Sequence, residues 1–284
     1  MKRIYNIAGH KFGVSGKELC KAVDSMAGFS PFETNGTDTL FDFVENCDVP
    51  EIKDLRYKSK YENVTQQFGT TANGYMLTLT PEGEEALQLW HNNGENTVNI
   101  HGYYELRLVR FALWIGYGLM TLPHDTIAIH SSCIVYRNNA VLFLGESGTG
   151  KSTHTRLWRE NIEGATLLND DSPIIRIENG KVWAYGSPWS GKTHCYKAER
   201  YELRGCVRIS QAPANSIKKL PLLRAYGSIH PSCPPDFAYD NHLYDHVSRI
   251  IGKILTAAQF YHLECLPDKA AALLSCKTIF HDKQ

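Results

Sequence analysis

Net charge is the first thing this chain lacks: Lys and Arg number 30, and so do Asp and Glu, over 284 residues. A balanced chain offers no general electrostatic footprint for nucleic acid or for an anionic membrane surface. Long apolar runs are missing too. The longest uncharged apolar stretch, Phe111 to Pro123, falls short of the ~20 residues that a membrane helix needs, and it contains two glycines. The N-terminus, Met-Lys-Arg-Ile-Tyr-Asn, has no apolar core of the secretory type. The 8 cysteines form no C-x-x-C pair and no compact framework, which excludes a zinc ribbon or a disulfide scaffold and suits buried thiols in a reducing compartment. Internal repeats and low-complexity tracts are absent. The expectation is a cytoplasmic protein with neither nucleic acid nor membrane as partner.

What is present divides by pattern into two regions, 1–102 and 103–284. The first is expected to be β-rich. Tyr75, Leu77 and Leu79 alternate with Met76, Thr78 and Thr80, and 86–90 and 97–100 read as strands around the turn Asn92-Asn93-Gly94. Residues 46–73 are polar and turn-rich, and no element is assigned there. Residues 104–122 carry helical spacing, with Leu106, Val109, Leu113 and Met120 on one face, stopped by Pro123. This helix is expected to pack under the second region or to join it to the first. Beyond it strands and helices alternate. Residues 127–136 and 140–144 read as strands, 153–160 as a helix, 165–168 as a strand, and 174–177 with 182–185 as a hairpin. Strands over 206–210 and 260–266 and helices over 221–227, 242–257 and 269–275 follow. The layout is α/β with a mixed sheet.

The strand Ala140 to Leu144 runs into Gly145-Glu146-Ser147-Gly148-Thr149-Gly150-Lys151-Ser152, which fits the phosphate-binding pattern G-x-x-x-x-G-K-S/T without a gap. Backbone N–H groups of such a loop, with Thr153 continuing into the helix, can wrap a triphosphate. Lys151 can reach its outer phosphates and the Ser152 hydroxyl can ligate Mg²⁺. The helix beginning near Lys151 points its positive end at the anion. ATP and Mg²⁺ are therefore the expected ligands, although no base-reading motif separates adenine from guanine.

Two further segments carry chemistry. Asp170 and Asp171 end an apolar strand about twenty residues after the loop, where one carboxylate can bind Mg²⁺ and the other can take the proton of an attacking hydroxyl. Neighbours on a strand face opposite ways, so both reach one metal only if the strand has already turned. The loop from Gly186 to Thr193, with Ser190 and Lys192, reads as a lid or an acceptor-binding loop. His242 and His246 have helical metal-ligand spacing without the Glu of H-E-x-x-H, and they read as a polar helix face.

Taken together, Ile129-His130, Gly145-Glu-Ser-Gly-Thr-Gly-Lys-Ser152 and Leu168-Asn-Asp-Asp171 resemble the HPr kinase/phosphorylase fold and, behind it, the nucleotide domain of ATP-dependent phosphoenolpyruvate carboxykinases. The resemblance covers roughly residues 125–210. It implies a phosphoryl-transfer enzyme with Lys151 on the phosphates, Ser152 and Asp171 on Mg²⁺, Asp170 as base and His130 supporting that base. It also implies a homo-oligomer. Glu202-Leu-Arg-Gly-Cys-Val-Arg-Ile209 partly matches a later signature of that family and adds Arg204 as a candidate. Thr153 stands where those kinases carry an acidic residue, and residues 1–100 do not match their N-terminal domain. The implied acceptor is a hydroxyl, on a protein serine or a small molecule. An ATP-binding sensor without turnover and a carboxykinase-like enzyme are the alternatives.

Overall fold

The computed structural model describes residues 2–191 and 193–281. The chain divides into two units, one of Met1–His124 with Pro235–Tyr244 and one of Asp125–Pro234 with Asp245–Gln284. Both contain a mixed sheet, and the described residues include six α-helices.

The first unit is built on eight strands: β1 (Lys2–Ile7), β2 (His10–Ser15), β3 (Phe41–Glu45), β4 (Asp54–Tyr61), β5 (Val64–Thr70), β6 (Gly74–Pro81), β7 (Leu87–Asn92) and β8 (Thr97–Gly102). They lie in the order β1-β2-β3-β8-β7-β6-β5-β4. The pairs β2–β3 and β3–β8 are parallel. Helix α1 (Lys17–Asp24) precedes β3, and α2 (Leu106–Thr121) follows β8. The Glu105 carboxylate starts α2 by accepting from the backbone N–H groups of Arg107 at 3.1 Å and Leu108 at 3.2 Å. Aromatic rings fill the core: Phe12 stacks on Phe41 at 5.4 Å, Phe43 meets both edge-on, and the Tyr117 hydroxyl of α2 donates to the Ile7 carbonyl at 2.9 Å. The returning segment 235–244 seats Phe237 against Phe68 and Gly118. Asp236 is fully buried there and accepts from the Gln66 amide, and burial pushes its carboxyl up to about 6.

Strands β4 and β5 occupy most of the stretch for which the sequence offers no element. The reason is visible in β4, an edge strand exposed along nearly all its length, so its residues carry no inward-outward alternation. Helix α2 belongs to the first unit, and the division falls at His124, where the sequence pattern suggests a boundary near 102.

The second unit contains β9 (Thr126–Ala128), β10 (Ser131–Tyr136), β11 (Asn139–Leu144), β12 (Thr166–Asp171), β13 (Ile174–Glu178), β14 (Lys181–Tyr185), β15 (Arg200–Gln211), β16 (Ser216–Lys219) and β17 (Gln259–Cys265). The main order is β12-β10-β11-β15-β14-β13-β9, with β17 on β15 and β16 on β17. The pairs β11–β15 and β15–β17 are parallel. Helices α3 (Lys151–Asn161), α4 (Leu222–Ile229) and α6 (Lys269–His281) lie in this unit, and α5 (Asn241–Ala257) enters it at Asp245. The strand expected over 127–136 is two strands, because the chain leaves β9 and re-enters the sheet at β10, with His130 at the break. The turns Arg137-Asn138 and Asn179-Gly180 place both residues at positive φ, as two-residue hairpins require.

Helices α3 and α6 cover one face of this sheet, enclosing Ile134, Phe143, Trp158, Val207 and Leu263. A polar cluster lies inside that core. Trp158 Nε1 donates to His154 Nε2 at 3.2 Å and to Ser275 Oγ at 2.9 Å. His154 Nε2 also lies 3.0 Å from Ser275 Oγ. Burial holds the His154 pKa down to about 4, against an ordinary 6.5. The unfolded chain therefore binds the proton first, and this contribution to stability, about 3 kcal/mol, is complete above pH 6.5 and is lost as the pH falls towards 4. Asp236 in the other unit acts with the opposite sign, so the ring itself is the cleaner observable. In a pH titration followed by NMR, the His154 ring is expected to titrate near 4. A midpoint at or above 6.5 would contradict this packing.

Candidate functional site

The loop after β11 is shaped by its glycines. Gly145, Gly148 and Gly150 have φ of +150°, +82° and +103°, a region that side chains rarely tolerate. A Cβ at Gly148 or Gly150 would meet nothing within 4 Å, so the backbone conformation is what requires glycine there. At Gly145 a Cβ would also lie 2.5 Å from Thr149 Oγ1. Thr149 closes the turn by donating from its hydroxyl to the Glu146 carbonyl at 2.9 Å. Lys151 folds back and donates to the carbonyls of Gly145 at 2.8 Å and Glu146 at 3.0 Å. Its ammonium is held below the usual lysine range, first by burial and also by the nearby Arg208, while Asp171 and Asp170 pull it upward. Helix α3 starts at Lys151 with Gly150 at its N-cap and no side chain bonded to its first N–H groups.

The end of β12 lies beside this loop. Strand alternation sends its last two carboxylates to different partners. Asp170 is buried and accepts from the Ser152 hydroxyl at 2.9 Å, while Asp171, about a third exposed, has Oδ1 at 3.1 Å from His130 Nδ1. A carboxylate only accepts, so Nδ1 carries the proton in that contact. The family resemblance implies His130 beside Asp170 and Ser152 with Asp171; in the structure His130 meets Asp171 and Ser152 meets Asp170, because β12 remains extended through Asp171.

The 186–191 loop clamps this strand end. The Gly191 N–H donates to the Asp170 carbonyl at 2.6 Å, the Ser172 N–H donates to the Trp189 carbonyl at 3.2 Å, and the Asp170 N–H donates to Ser190 Oγ at 3.3 Å. The wholly buried Asn169 holds the same loop by donating to Ser187. Ser190 thus touches the carboxylate segment through its backbone, and Lys192 lies outside the described residues. Arg204 is not brought to the loop. Its Nε donates to the Ile279 carbonyl at 2.9 Å and its guanidinium lies 5.0 Å over the Phe280 ring.

Arg208 occupies the position that sequence reasoning overlooked. Four residues beyond Arg204, about 13 Å along the strand, it pairs with Leu144 at the mouth of the loop. It donates to Glu146 Oε1 at 3.4 Å and to the Ser228 carbonyl at 3.4 Å. The segment from Ser228 to Ser232 reaches the other flank, where the His130 N–H donates to the Ser232 carbonyl at 2.7 Å. Only the parallel register of β11 and β15 brings Arg208 here, and nothing local in the sequence announces it.

These groups suit an anion with a hard cation. The uncapped start of α3, the glycine-shaped backbone and Lys151 favour phosphate. Ser152 and Asp170 offer adjacent oxygens of the kind Mg²⁺ takes. Among the described residues no three His, Cys, Asp or Glu side chains cluster to hold a metal by themselves, so a cation here would complete its shell with phosphate and water oxygens. No helix among the described residues is long and apolar enough to cross a membrane.

No protein-family model and no curated protein matches the chain. Among solved structures, the Hpr(Ser) kinase/phosphatase from Coxiella burnetii is similar at a TM-score of 0.32, with 12% sequence identity, over 54% of this chain and 95% of that one. A likeness so faint leaves the chemistry to be read from the side chains themselves.

Gly145→Ala is expected to destabilise the second unit by about 1–3 kcal/mol through the forced positive φ, read in denaturant unfolding. Unchanged stability would contradict the loop conformation.

Proposed function

We propose that the second unit is an ATP-dependent phosphotransferase of the HPr serine kinase kind, moving a γ-phosphoryl group to a hydroxyl acceptor on a protein serine or a small molecule. The observation that carries this reading is the division of labour at the end of β12: one carboxylate beside the loop's Ser152 and the next beside His130, both flanking Lys151. In this reading the backbone N–H groups of 145–153 hold the triphosphate and Lys151 neutralises its outer charge. Ser152 and Asp170 would hold Mg²⁺, which would supply further charge neutralisation. Asp171 accepts the proton of the acceptor hydroxyl as that oxygen bonds to the γ-phosphorus and ADP departs. His130 is a positioning residue: its Nδ1–H fixes the Asp171 carboxylate. The roles of the two aspartates follow their partners and so reverse those that the family resemblance implies.

The partly exposed Asp171 and His130 face solvent, with relative side-chain exposures of 36% and 43%, which leaves access for an acceptor.

The test is transfer of label from γ-phosphate-labelled ATP with Mg²⁺ into a dialysed extract of the source cell, with low-molecular-weight metabolites added back in parallel. Label is expected in a protein band or in a metabolite, and it identifies the acceptor. Asp171→Asn is expected to lower kcat by roughly 10²–10⁴ while triphosphate affinity holds. His130→Ala is expected to lower kcat about tenfold and to alter the pH profile, with KM for ATP unchanged. Lys151→Ala should weaken binding and turnover together. ATP that binds with no label moved would replace the kinase reading with that of a nucleotide sensor. Full transfer by Asp171→Asn would remove Asp171 as the base.

A further inference from the structure

The γ end of a bound triphosphate, in the reading above, lies among Lys151, Ser152, Asp170, Asp171 and His130. Apart from Lys151 and Ser152 of the loop and helix, these sit on the flank of β11 formed by β10 and β12. The rest of the ligand must then leave over the opposite flank, formed by β15 and β17. The end of β15 touches the loop. Arg208 reaches Glu146, and Gln211 Nε2 donates to the Gly148 carbonyl at 3.4 Å.

Arg208, Ser210 and His262 share the sheet face that α3 and α6 leave. Their neighbours Val207, Ile209 and Leu263 point the other way into the core. Arg208 is level with His262 in the parallel register. Ser210, two residues on from Arg208, is hydrogen-bonded to His262 at 2.8 Å between Oγ and Nε2, and both are half-buried. This serine–histidine pair has no features of a hydrolytic centre. Ser210 lies within a regular strand, and the adjacent Glu264 carboxylate accepts from Ser216 at 3.1 Å. The pair does offer a ring face, a hydroxyl and an exchangeable hydrogen bond, which suit a sugar and a base. The Arg208–Glu146 contact is loose and the Glu146 side chain is 81% exposed, so a phosphate oxygen can take the carboxylate's place.

We propose that the nucleoside half of the triphosphate lies over the C-terminal ends of β15 and β17, with Arg208 at the α-phosphate and the Ser210–His262 pair at the ribose and base. This rests on the phosphate-binding reading and adds to it the element that distinguishes a nucleotide from a bare polyphosphate.

Calorimetric titration of the full chain with MgATP and, separately, with magnesium tripolyphosphate tests it. Wild type is expected to bind ATP more tightly than tripolyphosphate. Ser210→Ala and His262→Ala are each expected to raise the Kd for ATP about tenfold while that for tripolyphosphate stays within about twofold. The unchanged tripolyphosphate affinity also shows that the variants are folded. ATP affinity unmoved in both variants, or both ligands weakened alike, would overturn the subsite. Tripolyphosphate bound as tightly as ATP by wild type would overturn it too and leave the phosphate loop standing. Binding of neither ligand would overturn the loop reading and this one together.

Discussion

Consecutive residues of an extended strand cannot face the same way, and at the end of β12 that constraint separates two carboxylates that the sequence places side by side. Asp170 turns inward to the Ser152 hydroxyl, and Asp171 turns to the His130 ring. Had the strand turned before Asp171, both carboxylates would have faced one side and Asp171 would not have met His130. The arrangement depends on β12 staying extended to its last residue. That in turn depends on backbone pairing with Ser131 and Ser132 of β10, and on the 186–191 loop that binds the strand from the other side.

Around that strand end, the rest of the second unit acts as a holder. The parallel pair β11–β15 carries the glycine loop and Arg208 to the same edge, and α3 leaves that edge with its first N–H groups free of side-chain caps. Beneath it, the α3–α6 layer encloses the buried His154–Trp158–Ser275 cluster. The hydrogen bond from Trp158 of α3 to Ser275 of α6 helps fix how α3 sits on α6, and α3 in turn carries Lys151 and Ser152.

Much of this was legible in the chain itself, where the signal was local. The apolar run 140–144, the glycine loop and the helix after it are adjacent in sequence, and each carries its own period or turn chemistry. A strand over 165–168 was legible as an apolar run, but its extension to Asp171 and the partners of Asp170 and Asp171 were not, since these depend on where β10 and α3 lie. His130 was visible as a residue before the loop; that it marks a break between β9 and β10 was hidden, because both halves are apolar and read as one strand. Strand β4 was silent for the opposite reason, as a solvated edge has no buried face to impose alternation, and β5 beside it buries only the adjacent Phe68 and Gly69. Arg208 went unnoticed, and Arg204 was preferred, because only the register between two strands more than fifty residues apart tells them apart.

A crystal structure with Mg²⁺ and a non-hydrolysable ATP analogue would show whether one triphosphate lies along the 145–153 loop with its terminal phosphate between the two aspartates. The expected result is phosphate density on the loop N–H groups, a cation on Ser152 and Asp170, and the γ-phosphorus facing the Asp171–His130 pair. Nucleotide density elsewhere in the molecule, or a cation bridging His130 and Asp171 in place of Ser152 and Asp170, would contradict it.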